Sequence, residues 1–363
     1  MRKSMDRTGR GVVCALASLA LSAALPSAAA TPAPRESAGI PFTERYHVTQ
    51  HGGIARAANS SVICKAPAGR AGKPCAAARQ DAAGRRGHHG TAYPDVDSDA
   101  RTDSSSRATL RLPAGSRVSY ARLYWGGTLR AGTHQAAGNN GQVLVAGPGG
   151  RYRTVRADTV AGHRGRAAAD GFQASADLTG LVRRSRSGAY TVAQIKGARG
   201  PSAAGTGGGW TLVAVYENAK EPLRRIALWD GFRPLTADRR TFTVRLNGLH
   251  IPANSSGRAG VVAYDGYRGR GNDALTVRAG RHHPLKVHDS ANPANDVMNS
   301  TITDFGQPVA RRPAYRNTLG FDSDVFDITP ALRSGAHQLT FRFTTRNPGY
   351  LLGALFVQAD TRH

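Results

Sequence analysis

The chain is 363 residues long, enough for two domains once a leader is set aside. Its 49 Lys and Arg against 24 Asp and Glu leave a formal net charge of +25, nearly all of it arginine. The basic residues are spread along the chain and no nucleic-acid motif accompanies them. That argues against a dedicated nucleic-acid module and leaves two readings: weak attraction to polyanions such as wall polymers, anionic polysaccharide or released DNA, or a composition in which Arg replaces Lys beside abundant Ala and Gly.

From the N-terminus, Arg2, Lys3, Arg7 and Arg10 make a basic start, and an apolar run follows from Val12 to Leu25. Pro26 breaks the run and Ala28-Ala29-Ala30 supplies a small-x-small site. The pattern predicts a signal peptide over residues 1–30, cleaved after Ala30, and therefore a secreted protein. The run is too short for a stable membrane anchor. Cys14 lies inside it with no small residue before it, which argues against a lipoprotein. Residues 31–45 are rich in Pro, Ala and Ser and read as a disordered linker. Cys64 and Cys75 remain after cleavage, an even count that predicts one disulfide in an exported chain. It closes a short loop and is worth ~3 kcal/mol at most.

Beyond the linker, strands dominate. Period-2 alternation marks Thr109 to Leu112, Ser119 to Trp125, Gln142 to Ala146, Tyr190 to Ile195, Thr211 to Tyr216, Thr241 to Leu246 and Gln338 to Thr344. Turn clusters separate them: Pro113-Ala114-Gly115, Gly147 to Gly150, Asn247-Gly248 and Asp265-Gly266. Long helical periodicity is absent. Many short strands with turns between them predict a β-sandwich or jelly roll.

An internal repeat sharpens this. Ala176-Asp177-Leu178-Thr179-Gly180-Leu181-Val182 leads through Ser187-Gly188-Ala189 into a strand, and Phe326-Asp327-Ile328-Thr329-Pro330-Ala331-Leu332 leads through Ser334-Gly335-Ala336 into another. Asp or Thr caps a short helical turn, and Gly releases the chain into the strand. Gly209-Trp210 and Gly349-Tyr350 then open two apolar strands, and Ala121 to Gly127 is echoed loosely by Ala259 to Gly266. The expected architecture is all-β: two tandem jelly-roll-like sandwiches, residues 46–220 and 221–363, packed together.

The runs Tyr93-Pro94-Asp95-Val96-Asp97-Ser98-Asp99, Thr109-Leu110-Arg111-Leu112-Pro113-Ala114-Gly115, Leu123-Tyr124-Trp125-Gly126-Gly127, Asp230-Gly231-Phe232, Asn299-Ser300-Thr301-Ile302 and Asn317 to Asp324 carry a resemblance over most of the mature chain. It resembles an uncharacterised family of secreted bacterial, mostly actinobacterial, β-sandwich proteins. They are related to the N-terminal region of large surface proteins that continue into immunoglobulin-like repeats. The resemblance implies an extracellular or surface setting and no particular chemistry. This chain stops where such repeats would begin, which favours release or loose retention at the wall over a stalk role.

Candidate sites are few. Asp95, Asp97, Asp99 and Asp103 form the densest carboxylate cluster, and alternating Asp in a loop suits calcium. The EF-hand pattern fails at Ala100 and Ser106, and the plainer reading is an Asp-rich turn paired with Arg101 and Arg107. Asp322, Asp324 and Asp327 form a second, weaker calcium candidate. His88-His89 and His282-His283 lack metal-ligand spacing and read as surface loops. No nucleophile elbow occurs. Glu217 and Asp230 could form the acid pair of a hydrolase, against the plainer reading of strand-end residues at a domain junction. Most aromatics read as core, and Trp229 is the residue chosen for stacking on a sugar ring. The expectation is a secreted, non-catalytic protein that binds extracellular polysaccharide or a cell-wall polymer. The alternative is a secreted hydrolase of polysaccharide or peptide.

Overall fold

In the computed structural model, residues 36–37, 40–65, 75, 79, 90–131, 134–136, 140–164, 170–198, 207–269, 272–346 and 349–362 are described. The expected leader, most of the expected linker and His88-His89 lie outside them. The first half of the chain supplies β1 (Thr43–Ser60), β2 (Ile63–Lys65), β3 (Gly90–Ala92), β4 (Ser105–Leu110), β5 (Arg117–Thr128), β6 (Arg130–Ala131), β7 (His134–Gln135), β8 (Gln142–Ala146), β9 (Arg153–Arg156), β10 (Thr159–His163), β11 (Gly171–Asp177), the helix α1 (Thr179–Ser185), β12 (Gly188–Ala193) and β13 (Gly208–Glu217). The second half supplies β14 (Leu223–Leu235), β15 (Thr241–Asn247), β16 (Gly257–Tyr264), β17 (Ala274–Ala279), β18 (Leu285–Lys286), β19 (Thr303–Asp304), β20 (Gln307–Pro308), β21 (Arg311–Arg312), β22 (Phe321–Asp327), a 3-10 turn at Thr329–Ala331, β23 (Gln338–Thr344) and β24 (Tyr350–Asp360). The protein is an all-β sandwich. The expected boundary at residues 220/221 falls in the turn between β13 and β14.

The long strand β1 organises the molecule. Through Thr43–His51 it pairs with β14, and through Gly52–Ser60 it pairs with β13. Thr43 to Arg45, within the segment expected to be linker, thus already belong to a strand. Hydrogen bonding runs unbroken through β10-β11-β5-β13-β1-β14-β24-β16-β22-β19-β20. The switch occurs at Gly52, whose φ is +141° and whose added Cβ would stand 1.9 Å from the Tyr216 carbonyl oxygen. Only glycine tolerates both conditions.

The two wings of this sheet face each other. Ile54, Tyr124, Val213 and Val215 on one wing meet Leu228, Val262, Phe321 and Phe356 on the other in a single buried cluster. Direct bonds cross the gap: Tyr124 Oη donates to Asp230 at 2.9 Å, Thr211 Oγ1 to Ser323 Oγ at 2.9 Å and Gln173 Nε2 to the Gly353 carbonyl at 3.0 Å. Each wing's outer face is covered by a smaller sheet. The sheet β21-β4-β12-β8-β9 lies over Leu123, Trp125, Trp210 and Leu212. The sheet β15-β23-β17-β18 lies over Trp229, Val261, Leu352 and Leu355. Three apolar layers between four layers of sheet follow from period-2 alternation on strands buried on both sides. Ala33–His363 form one compact unit.

The repeat is visible bond by bond. Asp177 Oδ1 accepts from Thr179 N at 2.7 Å, and Asp327 Oδ1 from Thr329 N at 2.8 Å. Thr179 Oγ1 accepts from Ala121 N, and Thr329 Oγ1 from Gly257 N. The order β11-β5-β13-β1 in one wing corresponds to β22-β16-β24-β14 in the other. These bonds align Ala121 with Gly257. The loosely echoed runs Ala121 to Gly127 and Ala259 to Tyr264 thus lie on the corresponding strands β5 and β16.

Candidate functional site

Cys64 and Cys75 form the expected disulfide, with Cα atoms 5.6 Å apart. The Asp-rich loop precedes β4 and folds on itself through its own carboxylates. Asp95 Oδ1 accepts from Ser105 Oγ at 2.7 Å. Asp97 accepts from Asp99 N, Thr102 Oγ1 and Tyr152 Oη; burial alone would raise its pKa, but these hydrogen bonds outweigh it and hold the pKa below the ordinary value. Asp99 takes both Nε and Nη2 of Arg101, which draws its pKa down to about 2. Asp103 stands apart, 3.9 Å from Lys196 Nζ. Asp97, Asp99, Arg101, Arg107 and Tyr152 line a hollow of about 580 Å³.

In the second cluster, Asp322 and Asp324 point to one side of β22 and are each 1 % exposed. Asp327 lies at the exposed end of the strand, engaged in its turn. Burial, reinforced by each other's charge, pushes the Asp322 carboxyl well above its usual range. Asp324 rises to about 7 because burial outweighs its bonds from Thr303 and the charge of Arg56. Among the described residues, no three His, Cys, Asp or Glu side chains gather in a metal-binding group.

Two expectations change. Trp229 is 5 % exposed and packs in the core beneath the second outer sheet, because it points to the opposite face of β14 from Leu228, the face which that sheet covers. Its ring is closed to any ligand. Glu217 and Asp230 do not share a groove. They pair with Gly52 and Thr43 of β1, nine residues and about 30 Å of strand apart. Glu217 meets Arg117 at the surface, whereas Asp230 is buried between Arg45, Arg122 and Tyr124. His282 and His283 are exposed in a loop, as expected.

The feature that sequence reasoning missed is a groove of about 760 Å³ lined from both halves of the chain, by Arg56 and Arg111 on one side and by Arg258, Asp304, Phe305 and Gln307 on the other. Phe305, at 39 %, and Leu285, at 36 %, are the large apolar side chains exposed among the described residues, and Phe305 is the one on this groove. It sits at the tip of the two-residue hairpin between β19 and β20, where Asp304 faces Gln307. Both tip residues have positive φ, +52° at Phe305 and +73° at Gly306. A turn of this kind favours Asn-Gly or Asp-Gly, and a bulky ring there costs about 1–3 kcal/mol. The Arg258 guanidinium lies over the ring, 5.1 Å from its centroid. An exposed ring, an arginine stacked on it, a second arginine at Arg111 and a carboxylate at Asp304 form a surface suited to stacking on and hydrogen bonding with a hydroxylated ring.

No protein-family model matches this chain, and no curated protein sequence does so either. No helix among the described residues is long and apolar enough to cross a membrane.

Proposed function

We propose that the protein acts outside the cell as a non-catalytic binding protein for polysaccharide or a cell-wall polymer, and that the groove carrying Phe305 holds the ligand. The observation that carries this reading is Phe305 itself. It is an aromatic ring displayed to solvent in a backbone conformation that works against it, on the wall of a groove with arginine and carboxylate within reach. Strained, exposed residues concentrate where a ligand repays their cost. The net charge of +25 adds a general attraction to acidic polymers. Glu217 is taken by Arg117 at the surface while Asp230 is buried between Arg45 and Arg122, which speaks against the one acid pair that favoured a hydrolase.

The test is sedimentation of the purified protein with isolated cell walls and insoluble polysaccharides across a salt series. Retention that survives high salt and falls about tenfold in Phe305→Ala, a loss of ~1.4 kcal/mol, supports the groove. Retention that disappears with salt and ignores Phe305→Ala reduces binding to arginine electrostatics. No retention on any polymer overturns the proposal.

A further inference from the structure

Thr301 stands on the segment that runs beside β22, and its hydroxyl oxygen is surrounded by acceptors. Asn292 Oδ1 lies 2.8 Å away, Asn299 Oδ1 2.9 Å and Asp324 Oδ2 3.1 Å. All four residues are within 3 % of complete burial. A hydroxyl has one proton, so it satisfies one of the three oxygens. Rotating the amides does not help. Asn299 Nδ2 is already committed to the Ala291 carbonyl at 2.9 Å, and Asn292 Nδ2 to Asp289 Oδ1 at 2.9 Å and Thr303 Oγ1 at 3.1 Å. Turning either amide over would set its oxygen against another oxygen. A proton on Asp324 supplies one more donor and still leaves a buried amide oxygen without a partner, a cost of about 1–3 kcal/mol.

The surroundings deepen the deficit. Asp322 Oδ2 and Asp289 Oδ2 are also buried with no hydrogen-bond partner. The nearby cations are Arg56, which donates to the Thr303 carbonyl, and Arg311, which donates to Asn59 Oδ1 and to the carbonyls of Pro313 and Tyr315. Neither guanidinium bonds to the cluster of oxygens around Thr301.

We propose that Asn292, Asn299, Thr301 and Asp324 form a site for a calcium-class cation. Oxygen-only donors mixing one carboxylate with amide and hydroxyl oxygens suit a hard, flexibly coordinated ion. Magnesium, which keeps several of its waters, suits a dry site poorly. The site is distinct from the Asp95 to Asp103 loop, and it takes only Asp324 from the second acidic cluster, Asp322, Asp324 and Asp327. Its consequence is mechanical: the ion ties the Asp289 to Thr303 segment to β22, next to the hairpin that displays Phe305.

The experiment is calcium titration calorimetry on the purified full chain after stripping with chelator, with metal analysis of the protein before stripping. The expected result is a calcium site in the wild type that Thr301→Val and Asp324→Asn each weaken at least about tenfold. The paired control Asp97→Asn with Asp99→Asn leaves it unchanged. Asn292→Asp keeps Oδ1 and adds charge but sets its second oxygen against Asp289 Oδ1 and Thr303 Oγ1, so it is expected to destabilise the calcium-free protein and to regain stability when calcium binds. Absence of calcium binding in the wild type overturns the proposal, as does binding that Thr301→Val and Asp324→Asn leave intact. Loss of calcium binding in the Asp97 and Asp99 control overturns it too. If Thr301→Val and Asp324→Asn fail to fold, the wild-type titration and Asn292→Asp decide. Destabilisation of Asn292→Asp that calcium does not relieve shows that the cluster is closed by a proton or water.

Discussion

Phe305 and Asp273 are two residues whose surroundings set a measurable cost. Phe305 holds φ at +52°, where asparagine is at ease and a bulky ring is not. Phe305→Asn is therefore expected to raise stability by about 1 kcal/mol in urea melts while weakening retention on the polymer, the trade expected when strain serves binding. A variant that gains neither stability nor a binding defect would strip the ring of its role. Asp273 is 5 % exposed, and burial raises its carboxyl to about 6, partly offset by the hydroxyl of Thr345 and reinforced by the charge of Asp296. The folded carboxyl binds its proton more tightly than the unfolded one, so the native state holds an extra proton between about pH 4 and 6. The stability this provides is complete below about pH 4 and is lost as pH rises through 6, up to ~3 kcal/mol in all. Asp273→Asn keeps the bond from Thr345 and should flatten that part of the stability curve relative to wild type. Neither residue was legible beforehand. Asp304-Phe305-Gly306 lacks the Asn-Gly pair that signals a two-residue hairpin, and an isolated Asp273 carries no sign of its burial. Trp229 shows the converse: alternation establishes that a strand residue faces one side, but not which side a second sheet will cover.

At the scale of elements, the glycine at the switch of β1 is the sharpest constraint. An alanine at position 52 must place its Cβ 1.9 Å from a backbone oxygen while holding φ at +141°. Gly52→Ala is expected to cost at least about 2–3 kcal/mol, read as a lower urea midpoint with an unchanged slope. Gly115, with nothing within 4 Å of its added Cβ and φ at +80°, should cost less and serves as the comparison. The strands themselves were largely readable. β8 and β23 run over the residues that alternation marks, Gln142–Ala146 and Gln338–Thr344. Each is half-buried beneath one core, which is what produces alternation. β1 escaped because its second half, Gly52–Ser60, is almost wholly buried and rich in Ala and Gly, so neither period nor propensity marks it. The repeat was readable because its Asp and Thr each make a fixed backbone bond in both copies. The strand echo stayed loose because apolar strand residues carry no such anchor.

The whole molecule depends on the same strand. Thr43–His51 completes the second wing by pairing with β14, while the rest of β1 completes the first by pairing with β13. The layer between the wings draws its apolar residues from both halves and holds a buried ion pair of Arg122 with Asp230. A fragment of residues 221–363 would lose its edge partner along β14 and expose Leu228, Val262, Phe321 and Phe356 to water. A fragment of residues 46–220 would keep its outer sandwich but leave Tyr124, Val213 and Val215 uncovered and strand Arg122 without Asp230. Large apolar faces of this kind drive association rather than stable monomers. Neither fragment is therefore expected to give a cooperative melt alone, and the two expressed together should recover a soluble complex with a single transition. Circular dichroism melts and size-exclusion chromatography read the outcome. Two independently folding halves would mean that the shared layer is an interface between finished domains, whereas joint recovery would mean that the duplicated sandwiches and β1 form a single cooperative unit.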